Sequence, residues 1–273
     1  MKIKHWVTAS AALLMAVSFA LPAAAAEVGK TTTEGDVTFK GADSGTEGGN
    51  PTAPDDKDGG NTVTPDPGEN SHTNGPLRIE SVPTLHFGTQ DVSTKDKYYN
   101  SLWNTGTVDG GTSTNIPVFA QVRDETAQAT NSWTLSLQQT TAFSPSDTAS
   151  TAPDLANTRV QIYAATAYNS LKANTSSTAT ATALTIGSTG YTTVSATLGE
   201  DLTIMTGANT NGSDSSLVFS STSQYNPNDT TATNPYAVTG ADNEGLKLFV
   251  PGTDVAYAEE YTATFTWTLA DAL

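Results

Sequence analysis

The chain has 273 residues, with 12 Lys and Arg against 28 Asp and Glu for a formal charge of −16, three His and no Cys. That balance repels polyanions at long range, so holding nucleic acid or an anionic membrane through a basic patch is disfavoured. The absence of cysteine excludes disulfides, thiolate zinc sites and lipid attachment at a processed Cys.

In chain order, MKIKHW supplies two lysines, VTASAALLMAVSFAL an apolar run too short to span a bilayer, and PAAAA the small residues of a cleavage site. The pattern predicts a secretory signal peptide over residues 1–26. Its loss removes Lys2 and Lys4 and leaves ten basic against 28 acidic side chains, or −18. No later apolar run is long enough to cross a membrane, and no hydrophobic, basic-ended sorting tail follows the last strand pattern. Direct membrane insertion of the mature chain is not expected, and any hold on a cell is expected to be non-covalent.

Residues 27–40 form an N-terminal segment in which GDVTF, 35–39, has the pattern of an extra strand. Residues 41–75 are rich in Gly, Pro, Asn and Asp, with Val63 their one large apolar residue. Such a stretch buries too little to offset its ordering entropy, which predicts a flexible acidic linker or long loop. Asp56, Asp58 and Gly59-Gly60 suggest calcium, but the bidentate Glu of an EF-hand loop is missing.

From residue 76 to residue 273 the texture changes to short, alternating apolar runs: LRIESV, LHFG, PVFAQV, SWTLSL, RVQIYA, YTTVSATL, LTIM, LKLFV and YTATFTWTL. Gly, Asn, Pro and Ser clusters separate them. This predicts an all-β domain built as a single β-sandwich-like or barrel-like core. The Thr/Ser/Ala stretch NTSSTATATAL at 174–184 reads as an exposed loop or edge strand.

Catalytic patterns are sparse. His72 lies in the linker and His86 in LHFG, no G-x-S-x-G turn presents a serine, and no H-E-x-x-H zinc motif, Walker loop or dinucleotide fingerprint occurs. Glu80, Asp91, Asp124, Glu125, Glu200, Asp201, Glu259 and Glu260 are the carboxylates a glycosidase pair would draw on, but spacing alone brings no two of them to working distance. The expectation is a protein that is not an enzyme and holds no cofactor or metal.

The aromatic residues carry more. In YTATFTWTLADAL, Tyr261, Phe265, Trp267 and Leu269 share a strand face, and the threonines share the other. In SWTLSLQ, Trp133, Leu135 and Leu137 share a face likewise. That periodicity places both tryptophans in a core, where each removes roughly 150–250 Å² from water. Flat aromatic faces also serve to stack sugars, which is the competing use.

The order of these elements resembles the WxL-domain surface proteins of low-GC Gram-positive bacteria. It runs from a signal peptide through GDVTF, a linker containing TPDPGEN, GPLRIESVPTLHFGTQDVS, VFAQVRD and SWTLSLQ to the terminal YTATFTWTLADAL. The resemblance covers almost the whole mature chain. It implies a cell-surface protein held non-covalently by the wall, with peptidoglycan as ligand and companion surface proteins, one of them membrane-anchored, as partners. It assigns the motif to Trp133 and Leu135 and to Trp267 and Leu269. The family pattern has an Asp-x-Arg-Gly turn before the first W-x-L; here Asp124 is followed by ETAQATNSW, so no role of that arginine carries over. An adhesin for host glycan or matrix protein, with the wall only as its mounting, and a secreted glycoside hydrolase are the alternative classes.

Overall fold

The computed structural model describes residues 34–55, 61–128, 130–171, 179–227 and 236–271. The signal peptide at 1–26 and the calcium candidates Asp56, Asp58 and Gly59-Gly60 lie outside them. The chain forms two compact units, one up to Thr38 and one from Phe39 onward. Of the first, residues 34–38 are described; they are exposed and carry no regular structure, so GDVTF forms no strand.

The second unit is all β, without helices among the described residues. Its strands are β1 (Val63–Pro65), β2 (Asn70–Ser71), β3 (Leu77–Pro83), β4 (Lys97–Ser101), β5 (Asn104–Val108) and β6 (Thr114–Ile116). There follow β7 (Phe119–Asp124), β8 (Ser132–Gln139), β9 (Ser144–Pro145), β10 (Arg159–Ile162), β11 (Thr166–Asn169) and β12 (Thr180–Ala183). The series ends with β13 (Thr192–Thr193), β14 (Leu202–Ala208), β15 (Ser213–Val218), β16 (Asn243–Val250), β17 (Tyr261–Thr262) and β18 (Phe265–Asp271).

The single sandwich or barrel expected from the sequence is corrected. The strands sort into small antiparallel sheets of order β1-β5-β6, β13-β10-β16-β4, β11-β15-β7-β3-β2, β12-β14-β8-β18 and β17-β9, in a propeller-like arrangement. Alternation identifies strands but not their partners: β7 and β8 follow one another in the chain and lie in different sheets. One core joins the three larger sheets through Ile79, Val122, Leu135, Ile162, Met205, Leu217 and Leu246. The described part of NTSSTATATAL holds β12, an edge strand.

The stretch 41–75 also departs from expectation. Its described parts supply β1 and β2, and Val63 is fully buried in a second cluster with Ala53, Ile116 and Tyr236. Polar partners across the fold hold it. The Gln121 side chain acts as a surrogate strand, accepting from Thr52 N and donating to Thr52 O, each at 2.9 Å. Glu80 Oε1 accepts from Asn50 N at 2.9 Å, and Asp214 Oδ2 from Thr52 Oγ1 at 2.7 Å. These acids are in turn gripped by arginines: Arg78 Nε lies 2.7 Å from Glu80 and Arg123 Nε 2.6 Å from Asp214. Low local hydrophobicity is thus outweighed by hydrogen bonds to distant residues, which composition does not register.

Candidate functional site

The first W-x-L lies on β8, whose burial alternates strictly along the strand. Trp133 is 1% exposed and Leu135 fully buried. The Trp133 indole N–H donates to Thr210 Oγ1 at 2.8 Å, and the Thr210 hydroxyl donates to Asp124 Oδ2 at 2.8 Å. The Asn131 amide reaches the same carboxylate oxygen, while Thr126 donates to Oδ1 through its N–H at 3.1 Å and its hydroxyl at 2.8 Å. A buried carboxylate with this many donors is the hub that fixes the turn and the indole together. Across the ladder Trp133 faces Gly207, where a Cβ would lie 2.2 Å from indole carbons. Only glycine leaves room for the ring at that position.

The second W-x-L lies on β18, paired antiparallel with β8. The two motifs therefore meet: Leu269 opposes Leu135, and Trp267 opposes Leu137. Burial separates them. Trp267 and Leu269 are only partly buried: β18 is the edge of its sheet, and no strand among the described residues pairs with its far side. Trp267 packs on the core, with its ring edge-on to Phe219 at 6.3 Å between centroids and 64° between planes. Trp267 and Leu269 also line a groove of about 640 Å³, together with Thr73, Asn74, Pro76, Leu77, Thr126, Gln128 and Asp271.

A family model described as the WxL domain, surface cell wall-binding, matches residues 26–272. The chain belongs to the WxL family. Comparison with curated proteins gave no match, and comparison with solved structures gave none.

In this WxL protein the sequence placed all four motif residues on strand faces, and the structure puts those faces on neighbouring strands. The expectation that both tryptophans fill the core describes Trp133, which is fully buried, and Trp267 in part, since it packs on the core while partly exposed. Among the carboxylates, Glu80 and Glu125 both lie 2.7 Å from Arg78, and Asp124 is committed to the Trp133 turn. Sequence reasoning missed Thr210, Gly207 and the groove wall at Pro76 and Leu77. A glycine inside the strand LTIMTGA was the available signal for Gly207. Nothing in the sequence marks Thr210 or the groove wall, since both depend on register.

Proposed function

We propose that this protein is a secreted, non-catalytic surface protein that holds the cell wall non-covalently, with peptidoglycan as ligand and the groove beside Trp267 and Leu269 as the contact surface. Membership of a surface cell wall-binding family supports wall association. The observation that carries the choice of surface is the unequal burial of two motifs on adjacent strands. Trp267 and Leu269 pack on the core and also line a groove that holds amides and hydroxyls, which matches an amphipathic N-acetylated glycan with peptide stems. Such a groove is apolar where rings lie and polar where substituents point. Export through the predicted signal peptide and assembly with companion surface proteins, one of them membrane-anchored, belong to this reading through the family resemblance.

Sedimentation with purified sacculi tests it. Trp267→Ala and Leu269→Ala are expected to lose binding while keeping cooperative melting. Retention of wall binding by both variants would reject the groove. Binding to host matrix but not to sacculi would favour an adhesin, and release of reducing sugar a hydrolase.

A further inference from the structure

The sheet β13-β10-β16-β4 buries Val160, Ile162, Leu246 and Leu248 on one face. Residues of the other parity fall into register on the opposite face: Asn100, Lys247 and Gln161 in one row, Tyr98, Phe249 and Arg159 in the next. Tyr98 stacks on Phe249, with centroids 4.9 Å apart and planes at 30°. Tyr163, one residue past β10, lies 5.4 Å from Tyr191, one residue before β13, at 34°. Lys247 Nζ sits 4.9 Å from the centre of the Tyr163 ring. Tyr163 folds back along its strand so that its hydroxyl donates to the buried Gln161 Oε1 at 3.1 Å. Lys247 and Phe249, two residues apart on one face of β16, join the two ring pairs, and burial first, then the closeness of Tyr98 and Tyr191, pushes the Tyr163 phenol above its ordinary value.

Cross-strand ring pairs stabilise a sheet by about 0.2–1 kcal/mol, and that accounts for the stacking. It does not account for Lys97, and Lys247 is held by the Tyr163 ring rather than by a carboxylate. The lysines among the described residues are Lys40, Lys95, Lys97 and Lys247, and all but Lys40 lie on β4, on β16 or just before β4. Arg78 and Arg123 are engaged by carboxylates, and Arg159 donates to the carbonyls of Ser195, Ala156 and Thr158. Asp96, between two of the lysines, is turned to Gly252 N at 2.8 Å. No ion pair engages Lys97 or Lys247 among the described residues. Among the described residues, the lysines outside ion pairs thus lie beside partly exposed rings, with Lys247 over the Tyr163 face.

We propose that this face is a second binding site, separate from the groove at Trp267, and that its ligand is a polysaccharide bearing carboxylates. Tyr98 is 49% exposed and Tyr191 is partly exposed, so rings at both ends of the cluster are open to solvent. The C–H face of a pyranose is apolar and weakly positive and meets the negative face of such a ring. A carboxylate on the same or the next sugar takes charge-assisted hydrogen bonds from Lys247 or Lys97, and Asn100 stands in the Lys247 row to meet hydroxyls. Each contact is shallow, and repetition along a polymer supplies the affinity. The negative field of the rest of the chain decays over about 8 Å at physiological salt, so a ligand touching the lysines answers to their charge. Lysine is depleted from the cores of protein–protein interfaces, which favours glycan over a protein partner.

The test uses the purified protein with polygalacturonate as probe, and with neutral dextran and polyphosphate as controls, followed by affinity electrophoresis over a salt series. The expected result is retardation by polygalacturonate that weakens with salt, with no retardation by dextran. Lys247→Gln and Tyr98→Leu should each weaken it several-fold, whereas Lys40→Gln and Trp267→Ala should leave it unchanged. Tyr98→Leu keeps an apolar cover on Phe249; if its melting falls, Lys247→Gln decides alone. The proposal is overturned if polygalacturonate does not retard the protein, if dextran does so equally, or if Lys247→Gln binds as the parent does. It is overturned also if polyphosphate binds as tightly and a fully folded Tyr98→Leu has no effect, since charge alone then suffices. Loss of wall binding on Trp267→Ala with polygalacturonate binding intact keeps the two sites apart.

Discussion

Leu135 and Leu269 lie directly opposite one another on β8 and β18, so the third residues of two W-x-L motifs far apart in the chain form one cross-strand pair. Leu135 is fully buried and Leu269 is partly exposed. The motif pair is a structural unit whose inner half builds the core and whose outer half borders solvent.

That asymmetry separates the two tryptophans in stability. Trp133→Ala empties a packed site and removes the indole donor to Thr210 Oγ1, so a loss of about 3–5 kcal/mol is expected. Trp267→Ala removes a ring already partly in water and should cost about 1–2 kcal/mol. Urea unfolding of both variants measures the difference. Equal losses would show that the edge tryptophan is as much a core residue as its partner.

Gly207 is a second point of strain control. A methyl group there would occupy the space of the Trp133 indole, 2.2 Å from its carbons. Replacing a strand glycine by alanine usually helps, but Gly207→Ala is expected to destabilise by about 1–3 kcal/mol through overpacking. The double variant Gly207→Ala/Trp133→Leu should recover part of that loss relative to the sum of the singles. Additive losses in the double-mutant cycle would sever the link between the two positions.

Asp124 serves Thr126, Asn131 and Thr210 at once. Asp124→Ala leaves those donors without an acceptor, at about 1–3 kcal/mol for each that stays dry. Asp124→Asn retains one good acceptor and should fall between parent and Asp124→Ala. Thermal melting ranks the three proteins, and an Asp124→Ala protein melting with the parent would remove the hub from the account of Trp133.

Residues 48–53 are expected to resist proteolysis and to exchange amide hydrogen slowly at Thr52, because Gln121 brackets Thr52 from both sides. Gln121→Ala should speed exchange at Thr52 and open the stretch to cleavage, with β8 and β18 still protected. Hydrogen exchange resolved by residue reads this directly. Fast exchange at Thr52 in the parent would restore the picture of a free tether.

The terminal strand should be needed for solubility as well as for binding. Deleting Phe265–Asp271 bares the edge of β8 over its whole length and uncovers Leu135 and Leu137. Unpaired strand edges beside exposed apolar side chains pair with other chains, so aggregation on light scattering is expected. A monomeric, cooperatively melting truncation would show that β18 is an appendage.

The sequence by itself determined the all-β class, the position of most long strands and the parity of the motif residues, because alternation is a local property that the backbone enforces every two residues. SWTLSLQ and the FTWTL stretch became β8 and β18 with the apolar parity turned inward. Only the tertiary structure decided which strands pair. The meeting of Leu135 with Leu269, the separation of β7 from β8 and the partial exposure of Trp267 are matters of long-range register, on which alternation is silent. The buried serine-rich strand β15, the two strands inside 41–75 and the lysines beside Tyr98 and Tyr163 escaped for the same reason. Their polar groups are satisfied, or left free, by residues distant in the chain, and burial of a polar group is decided by its partners rather than by its own hydropathy.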